Sequence, residues 1–107
     1  MNLKGYQKRF LRSQAHHLEP VVMIGKQGLA ESVIYKIDEE LNHHELIKVR
    51  FVDYDRHQQK EMMADIEEKT SSLCAGKIGH LGIFYRPNPD PDKIKVKLPQ
   101  RGNSIEK

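Results

Sequence analysis

The hydrophobic positions near the N-terminus predict a helix followed by a short buried strand. Apolar side chains recur at helical spacing from Leu3 to Leu18, which predicts an amphipathic helix over residues 3–17. Pro20 ends that helix, because proline has no backbone N–H to donate. The four apolar residues that follow, VVMI over 21–24, are typical of a strand that is covered on both faces.

A loop bounded by glycines and a second helix–strand pair come next. The loop is GKQG over 25–28, and apolar residues at helical spacing from Leu29 to Leu41 predict the helix. The segment IKVRF over 47–51 then alternates between apolar and charged residues. This alternation predicts a second strand, with Lys48 and Arg50 on the same side of it.

The rest of the chain predicts a third helix and a β-hairpin. Asp53 or Asp55 is suited to cap the helix, whose inner face holds Met62, Met63, Ile66 and Leu73. Residues 74–78 and 81–85 are predicted to be strands joined at the Gly-His pair 79–80. Residues 93–98 alternate again and either add an edge strand or stay irregular, and residues 99–107 are expected to form a disordered tail.

The order of these elements predicts the fold class. Helix, strand, helix, strand, helix, strand, strand indicates an α/β (α+β) two-layer sandwich in which helices pack on a mixed four-stranded sheet. Because crossover connections are right-handed, both crossover helices are expected on one face of the sheet. The first helix is expected to pack as an addition, and residues 1–98 to form a single domain.

The composition is typical of a soluble globular protein. The chain has 107 residues, of which 37% are hydrophobic and 31% are charged. Its longest apolar run is too short to cross a membrane, and its first residues lack the apolar core of a secretory signal. The single cysteine, Cys74, cannot form an internal disulfide, which favours a reducing compartment. We therefore expect a cytoplasmic protein with no membrane association.

Charge is unevenly distributed along the chain. The formal net charge is +3, but residues 1–28 hold five basic residues and one acidic, and residues 76–107 hold seven basic and three acidic. Residues 29–75 hold six basic and eleven acidic residues. A fold that brings the two ends together has a positive face that attracts polyanions and a negative face that repels them. Ordinary solvated surfaces are the alternative explanation.

The strand–GKQG–helix segment is the most informative candidate for chemistry. Gly25 and Gly28 let the backbone turn sharply and approach a ligand closely, and the following helix directs unpaired N–H groups at the same place. Lys26 adds a positive charge, so the segment predicts a phosphate site of the kind that KH domains form with a G-x-x-G loop. A tight strand-to-helix turn without a ligand explains the two glycines equally well.

Other chemistries find little support in the sequence. The loop has neither the spacing of a P-loop nor the three glycines of a dinucleotide-binding fingerprint, so no nucleotide cofactor is expected. The six histidines lack the spacing of a metal site, and Cys74 has no neighbouring base that suggests a nucleophile. The sequence therefore predicts no metal and no enzymatic activity. Among the aromatic residues, only Tyr6 and Tyr54 are predicted to be exposed platforms for base stacking.

Four motifs in the same order resemble the CRM domain (chloroplast RNA splicing and ribosome maturation), particularly its stand-alone bacterial YhbY-like members. They are LRSQAHHLEPVV, GKQGL, HHELIKV and LGIFYRP, and the similarity extends from about Leu3 through Pro87. The resemblance implies a fold like the C-terminal domain of bacterial translation initiation factor three. It also implies RNA binding, with ribosomal RNA in precursors of the large ribosomal subunit as the partner.

The resemblance also implies which residues contact the RNA. They are the four residues of the loop and a basic surface: Gly25, Lys26, Gln27 and Gly28, with Lys4, Lys8, Arg9, Arg12, Lys48, Arg50 and Arg86. The chain departs from the family at Ala30, where a threonine often stands that is able to cap the second helix. A protein-interaction module whose acidic middle or helical face contacts a ribosomal protein is the alternative function.

Overall fold

The computed structural model describes residues 2–100 as one α+β unit. Met1 and residues 101–107 lie outside the described residues, and with them most of the predicted tail. The elements in chain order are α1 (Gly5–Ala15), β1 (Val22–Ile24), α2 (Glu31–His44), β2 (Leu46–Phe51), α3 (Arg56–Thr70), β3 (Leu73–Ile78) and β4 (Leu81–Tyr85). This is the predicted order of elements, but Leu73, predicted on the inner face of the third helix, lies in β3, because the helix ends at Thr70.

The four strands form one mixed sheet in the order β1-β2-β4-β3. β1 runs parallel to β2, with Val22 opposite Val49, and α2 connects the two strands. β4 lies antiparallel to both β2 and β3, so the predicted hairpin is present with its turn at residues 79–80. The loop after β1, the loop after β2 and the hairpin turn therefore lie at the same end of the sheet, which we call the loop end.

Each face of the sheet has its own hydrophobic core, because side chains alternate along the strands. On one face, Ile47, Val49 and Phe51 pack against α2 and α3, whose Ile37 and Ile66 are fully buried. Both crossover helices thus lie together, as predicted from right-handed connections.

The other face of the sheet, which we call the α1 face, is covered in part by α1. There, Leu11 and Ala15 pack against Leu46, Ile83 and Tyr85. The prediction that the first helix packs as an addition is confirmed, and the structure shows that it does so on the side of the sheet opposite the other two helices.

Local hydrogen bonds explain where two of the helices begin. At α3, the Asp55 carboxylate accepts a bond from the Gln58 N–H over 2.8 Å, and the Gln58 side chain accepts one from the Asp55 N–H over 2.9 Å. This reciprocal pair is a capping box, so Asp55 rather than Asp53 is the cap. At α1, the Gln7 side chain accepts a bond from the Lys4 N–H over 2.9 Å.

The segment 93–98 does not add a strand. A short 3-10 helix, Pro91–Lys93, is followed by irregular backbone, from which Val96 and Leu98 pack onto the core under α1. The buried Glu45 carboxylate accepts bonds from the N–H groups of Asn88, Lys95 and Val96. These N–H groups are therefore satisfied by a side chain, where an edge strand would have used a neighbouring strand.

Packing of this segment continues beyond the predicted domain boundary at residue 98. The Gln7 side-chain amide donates to the Pro99 carbonyl over 3.3 Å. No helix among residues 2–100 has the length and apolar character to cross a membrane.

Candidate nucleic-acid interface

The GKQG loop lies at the loop end of the sheet, directly after β1. Within it, the Gly28 N–H donates to the Gly25 carbonyl over 3.0 Å, which closes a tight turn. Gly28 has a φ of +64°, a left-handed conformation that side chains with a Cβ rarely adopt. The turn therefore explains the second glycine of the motif by backbone geometry alone.

The first glycine has no such structural explanation. Gly25 has an ordinary φ, and a Cβ built on it meets nothing within 4 Å. Lys26 and Gln27 between the glycines are exposed, and neither side chain bonds to any part of the chain that the structure describes. Open space beside a glycine, next to a lysine without a partner, is the geometry that a close backbone ligand needs.

Side chains from the loop after β2 and from α3 hold the GKQG loop in place. The Tyr54 hydroxyl donates to the Gly25 carbonyl. The buried Gln59 amide donates to the Tyr54 carbonyl over 2.7 Å and also contacts His80 Nδ1 in the hairpin turn at 3.0 Å. Lys77 Nζ donates to Gln59 Oε1 over 2.7 Å. One buried amide thereby connects three chain segments at the loop end.

The N-terminus of α2 follows the loop and has no side-chain cap. Ala30 occupies the N-cap position and makes no capping hydrogen bond, in keeping with its residue type. The first N–H groups of α2 therefore find no acceptor on the side chain of their N-cap residue. Glu31 in the first turn places a carboxylate near this end of the helix.

The basic residues of α1 and its N-cap Lys4 form a line along the α1 face. Lys4, Lys8 and Arg9 are exposed, whereas Arg12 is half-buried and donates to the Ala75 carbonyl over 2.7 Å. Lys8 lies beside Leu73 and Cys74 at the start of β3, which is the end of the sheet opposite the GKQG loop. The line thus begins far from the loop.

Arg12 and Arg50 lie on the same face of the sheet. The Arg12 guanidinium lies over Gly76, where a Cβ would stand 3.1 Å from Nη1. Gly76 is opposite Ile83, and Ile83 is opposite Lys48, two residues before Arg50. Because alternate residues of a strand share a face, Arg50 continues the basic line towards the loop end.

The side chains of two predicted contact residues bond to other parts of the fold. Lys48 is only 6% exposed, and its Nζ donates to the carbonyls of Leu18 over 2.7 Å and His16 over 3.3 Å, just after α1 ends. Arg86 is bound to the Asp38 carboxylate over 2.6 Å and to the Thr70 carbonyl over 2.7 Å. The structure does not bring Lys48 or Arg86 to the exposed basic surface, because both cations satisfy internal acceptors.

The aromatic side chains are arranged differently from the prediction. Tyr54 and Tyr6 are half-buried, and the Tyr54 hydroxyl is committed to the loop. Tyr35 on α2 is 66% exposed, so the prediction that only Tyr6 and Tyr54 are exposed is wrong. Tyr35 lies outside the apolar stripe of α2, so the helical pattern itself indicates that it is exposed. The prediction overlooked this signal.

Titratable groups in the described part of the chain do not form a metal site. Residues 2–100 contain no group of three His, Cys, Asp or Glu residues that is suited to hold a metal ion. Burial raises the pKa of the Cys74 thiol, and the nearby Glu67 carboxylate adds to this effect. A raised pKa keeps the thiol protonated, which is the opposite of what a nucleophilic cysteine needs.

Comparison with known proteins identifies related sequences over most of the chain. The model of the CRS1 / YhbY (CRM) domain matches residues 3–86. A Haemophilus influenzae protein named "RNA-binding protein" is 42% identical over 95 residues, covering 89% of this chain and 93% of the relative. A Bacillus subtilis protein named "Probable RNA-binding protein YqeI" is 33% identical over 94 residues, covering 88% of this chain and 98% of the relative.

A solved structure has the same fold. The solution structure of a hypothetical protein from Staphylococcus aureus superposes with a TM-score of 0.77 at 38% sequence identity. The match covers 91% of this chain and 99% of that protein. The predicted fold class is confirmed by this similarity.

Proposed function

Since the chain belongs to the CRS1 / YhbY (CRM) domain family, we propose that it is an RNA-binding protein without catalytic activity that holds the RNA backbone with its GKQG loop and its α1 face. The relatives in Haemophilus influenzae and Bacillus subtilis are both named for RNA binding. Their similarity extends over nearly the whole described domain, which supports the same class of ligand for this chain.

The observation that carries the proposal is the open space at Gly25. Its Cβ position is empty and its φ is ordinary, so neither packing nor backbone geometry requires glycine there. A phosphate that approaches the backbone closely does require it. The exposed Lys26 ammonium beside this space supplies the charge that favours a phosphate over a neutral ligand.

We further propose that the RNA is ribosomal, within precursors of the large ribosomal subunit in the cytoplasm. The resemblance of the four sequence motifs to YhbY-like proteins supports this finer assignment. The contact set that we propose consists of the loop residues with Arg12, Arg50 and the exposed basic residues of α1. Lys48 and Arg86 are left out, because Lys48 is buried and Arg86 is paired with the Asp38 carboxylate.

Binding to ribosomal RNA fragments tests the loop directly. Fluorescence anisotropy is expected to show an affinity about 10-fold lower for Lys26→Glu than for the wild type, because a phosphate contact becomes a repulsion. Lys69→Glu is the matched control: it makes the same change in charge at the end of α3, opposite the loop end. Equal losses in the two variants would attribute the effect to net charge and contradict a specific role of the loop.

A second variant tests the role of Gly25 separately from that of Lys26. Gly25→Val adds a side chain where the structure has space, so the free energy of unfolding is expected to change little. RNA affinity is expected to fall, because the added atoms occupy the space of the phosphate. Wild-type affinity in folded Gly25→Val would show that no ligand approaches the backbone there.

Sedimentation with ribosomal particles tests the finer proposal. The protein is expected to migrate with precursors of the large subunit in a density gradient of cell extract, and to be released by ribonuclease and by Lys26→Glu. Co-migration that survives ribonuclease would favour a contact with a ribosomal protein instead.

A further inference from the structure

A row of four side chains crosses the whole sheet next to the GKQG loop, and three of the four are exposed. The pairing of the strands places Met23 opposite Arg50, Arg50 opposite Leu81, and Leu81 opposite Ile78. Cross-strand neighbours point to the same face, so these four residues form one line, which we call the end row. Arg50 and Lys48 share a face, so the end row lies on the α1 face.

The end row is not covered by α1. The next row inward holds Gly76, Ile83 and Lys48, over which Arg12 and the chain after α1 are packed. Beyond it, Met23 is 67% exposed and Ile78 is 36% exposed, and Arg50 is exposed between them. Apolar side chains that lie together in one exposed row are typical of a surface that receives a ligand.

The charges around the end row indicate what kind of ligand it receives. The Arg50 guanidinium makes no hydrogen bond or ion pair with residues 2–100, and Lys26 lies three residues after Met23. Cations inside and beside an apolar strip fit a molecule that combines negative charge with flat apolar faces. An unpaired nucleotide has both, because its base is flat and its phosphate is charged.

Acidic groups limit the position of the phosphates. An open depression of about 480 Å³ adjoins the row, and Arg50 lines it together with Asp53, Asp55 and His80. The carboxylates repel phosphates from the depression, whereas the exposed Lys26 ammonium attracts them to the GKQG loop. A strand of RNA that follows these charges has its backbone at the loop and its bases over the sheet.

From this geometry we propose that the end row is a platform for unpaired RNA bases, with Met23 giving apolar contact and the Arg50 guanidinium stacking on a base. The proposal rests on the RNA binding proposed above and adds a preference for single-stranded RNA. The bases of a duplex are stacked on one another and cannot lie flat on the sheet, so a duplex has access to the phosphate contacts only.

Substitution of two exposed residues with the same exposure tests the platform. Met23→Ser is expected to lower the affinity for a short single-stranded RNA by about 3- to 10-fold. Tyr35→Ser is the control: Tyr35 is 66% exposed, nearly the same as Met23, but lies on α2 outside the end row, and its loss is expected to have no effect. Neither variant removes a buried contact, so both are expected to fold.

Arg50→Lys separates stacking from charge, because lysine keeps the charge without the planar group. Its affinity is expected to fall by about 3-fold or more for the single strand. Affinity for a matched oligomer with abasic riboses at its centre is expected to stay the same. 2-Aminopurine at that centre is expected to change its fluorescence on binding to the wild type, and to change less with Met23→Ser.

The outcomes distinguish this proposal from the proposed function. If Lys26→Glu weakens binding but Met23→Ser and Arg50→Lys bind single strands like the wild type, the platform is overturned and RNA binding through the loop stands. That result would assign the end row to a protein partner. Equal losses for duplex and single strand in Met23→Ser would also overturn the platform, and no RNA binding by the wild type would overturn both proposals.

Discussion

At the scale of single residues, the Tyr54 side chain supports the candidate site. Its hydroxyl donates to the Gly25 carbonyl, and its own carbonyl accepts from the buried Gln59 amide. Tyr54 therefore connects the GKQG loop to α3 and, through Gln59, to the hairpin turn. We interpret Tyr54 as a positioning residue that fixes the direction in which the loop presents its backbone.

Removal of this hydroxyl is expected to affect binding more than folding. Tyr54→Phe keeps the ring packed in the core and loses one hydrogen bond, so we expect the free energy of unfolding to fall by about 1 kcal/mol. RNA affinity is expected to fall as well, because the loop is less restricted before binding. Urea unfolding and anisotropy measure the two effects. Unchanged affinity in Tyr54→Phe would show that the loop needs no support from this residue.

The Cys74 thiol provides a test of the core at the same scale. Burial raises the pKa of this thiol, and the Glu67 carboxylate raises it further, while a bond from the Gly76 N–H acts in the opposite direction. At neutral pH the folded protein therefore holds the thiol protonated. We expect a thiol reagent to modify it much more slowly in the folded than in the unfolded protein.

The sign of the pH effect follows from the direction of this pKa shift. The unfolded chain releases the thiol proton at a lower pH than the folded chain does. The contribution of Cys74 to stability is therefore complete below its ordinary pKa and is lost as the pH rises through the raised pKa. Rapid modification of the folded protein at neutral pH would contradict this description of the site.

At the scale of elements, the sequence predicts local structure better than it predicts what covers each element. The alternation of β2 correctly placed Lys48 and Arg50 on one side, but nothing local shows that the end of α1 lies over Lys48. The same side of one strand thus holds a buried cation and an exposed one. Only the packing of distant segments distinguishes a structural lysine from an arginine that is free to bind.

Glu45 is the second feature that local pattern could not reveal. In the sequence, Glu45 is one of eleven acidic residues in the segment 29–75. In the structure it is only 4% exposed, and its carboxylate accepts hydrogen bonds from three backbone N–H groups of segment 88–96. These partners are more than forty residues away in sequence. They also explain why the alternating segment 93–98 is irregular: its backbone is held by a side chain and not by a strand.

Removal of the Glu45 carboxylate is expected to release this segment. Glu45→Ala leaves its three N–H partners without an acceptor, and we expect the free energy of unfolding to fall by about 2–3 kcal/mol. Hydrogen exchange is expected to rise first at residues 88–96, with little change at β1 and the GKQG loop. Glu45→Gln keeps one acceptor oxygen, so its free energy of unfolding is expected to lie between those of the wild type and Glu45→Ala. Uniformly faster hydrogen exchange across the sheet would instead indicate global destabilisation.

At the scale of the whole molecule, the two sides of the sheet differ in charge. α1 carries three basic residues and no acidic one, whereas α2 and α3 together carry eight acidic and four basic residues. Because α1 lies on the opposite face from the other two helices, the uneven distribution along the chain becomes an uneven distribution in space. The expectation of a positive and a negative face is thereby supported. The GKQG loop and the start of α1 nevertheless lie at opposite ends of the sheet.

This arrangement predicts how RNA affinity depends on salt. The basic line begins at Lys8 beside β3, continues through Arg12 and Arg50, and ends at Lys26 after β1. Four strands spaced at about 4.8 Å make this path long enough for several phosphates. If RNA follows the path, about four to six phosphates are neutralised, and the logarithm of the association constant falls with the logarithm of salt concentration with a slope of about −3 to −5.

Anisotropy across a salt series measures that slope, and variants show where it comes from. Lys26→Glu and Lys8→Glu are each expected to make the slope shallower by about one, because each removes one neutralised phosphate. Lys69→Glu changes net charge by as much as Lys26→Glu but lies off the path, and its slope is expected to equal that of the wild type. A slope that changes equally in all three variants would mean that RNA responds to net charge alone. A wild-type slope near zero would mean that phosphates are not the main contact, and would favour the protein-interaction alternative.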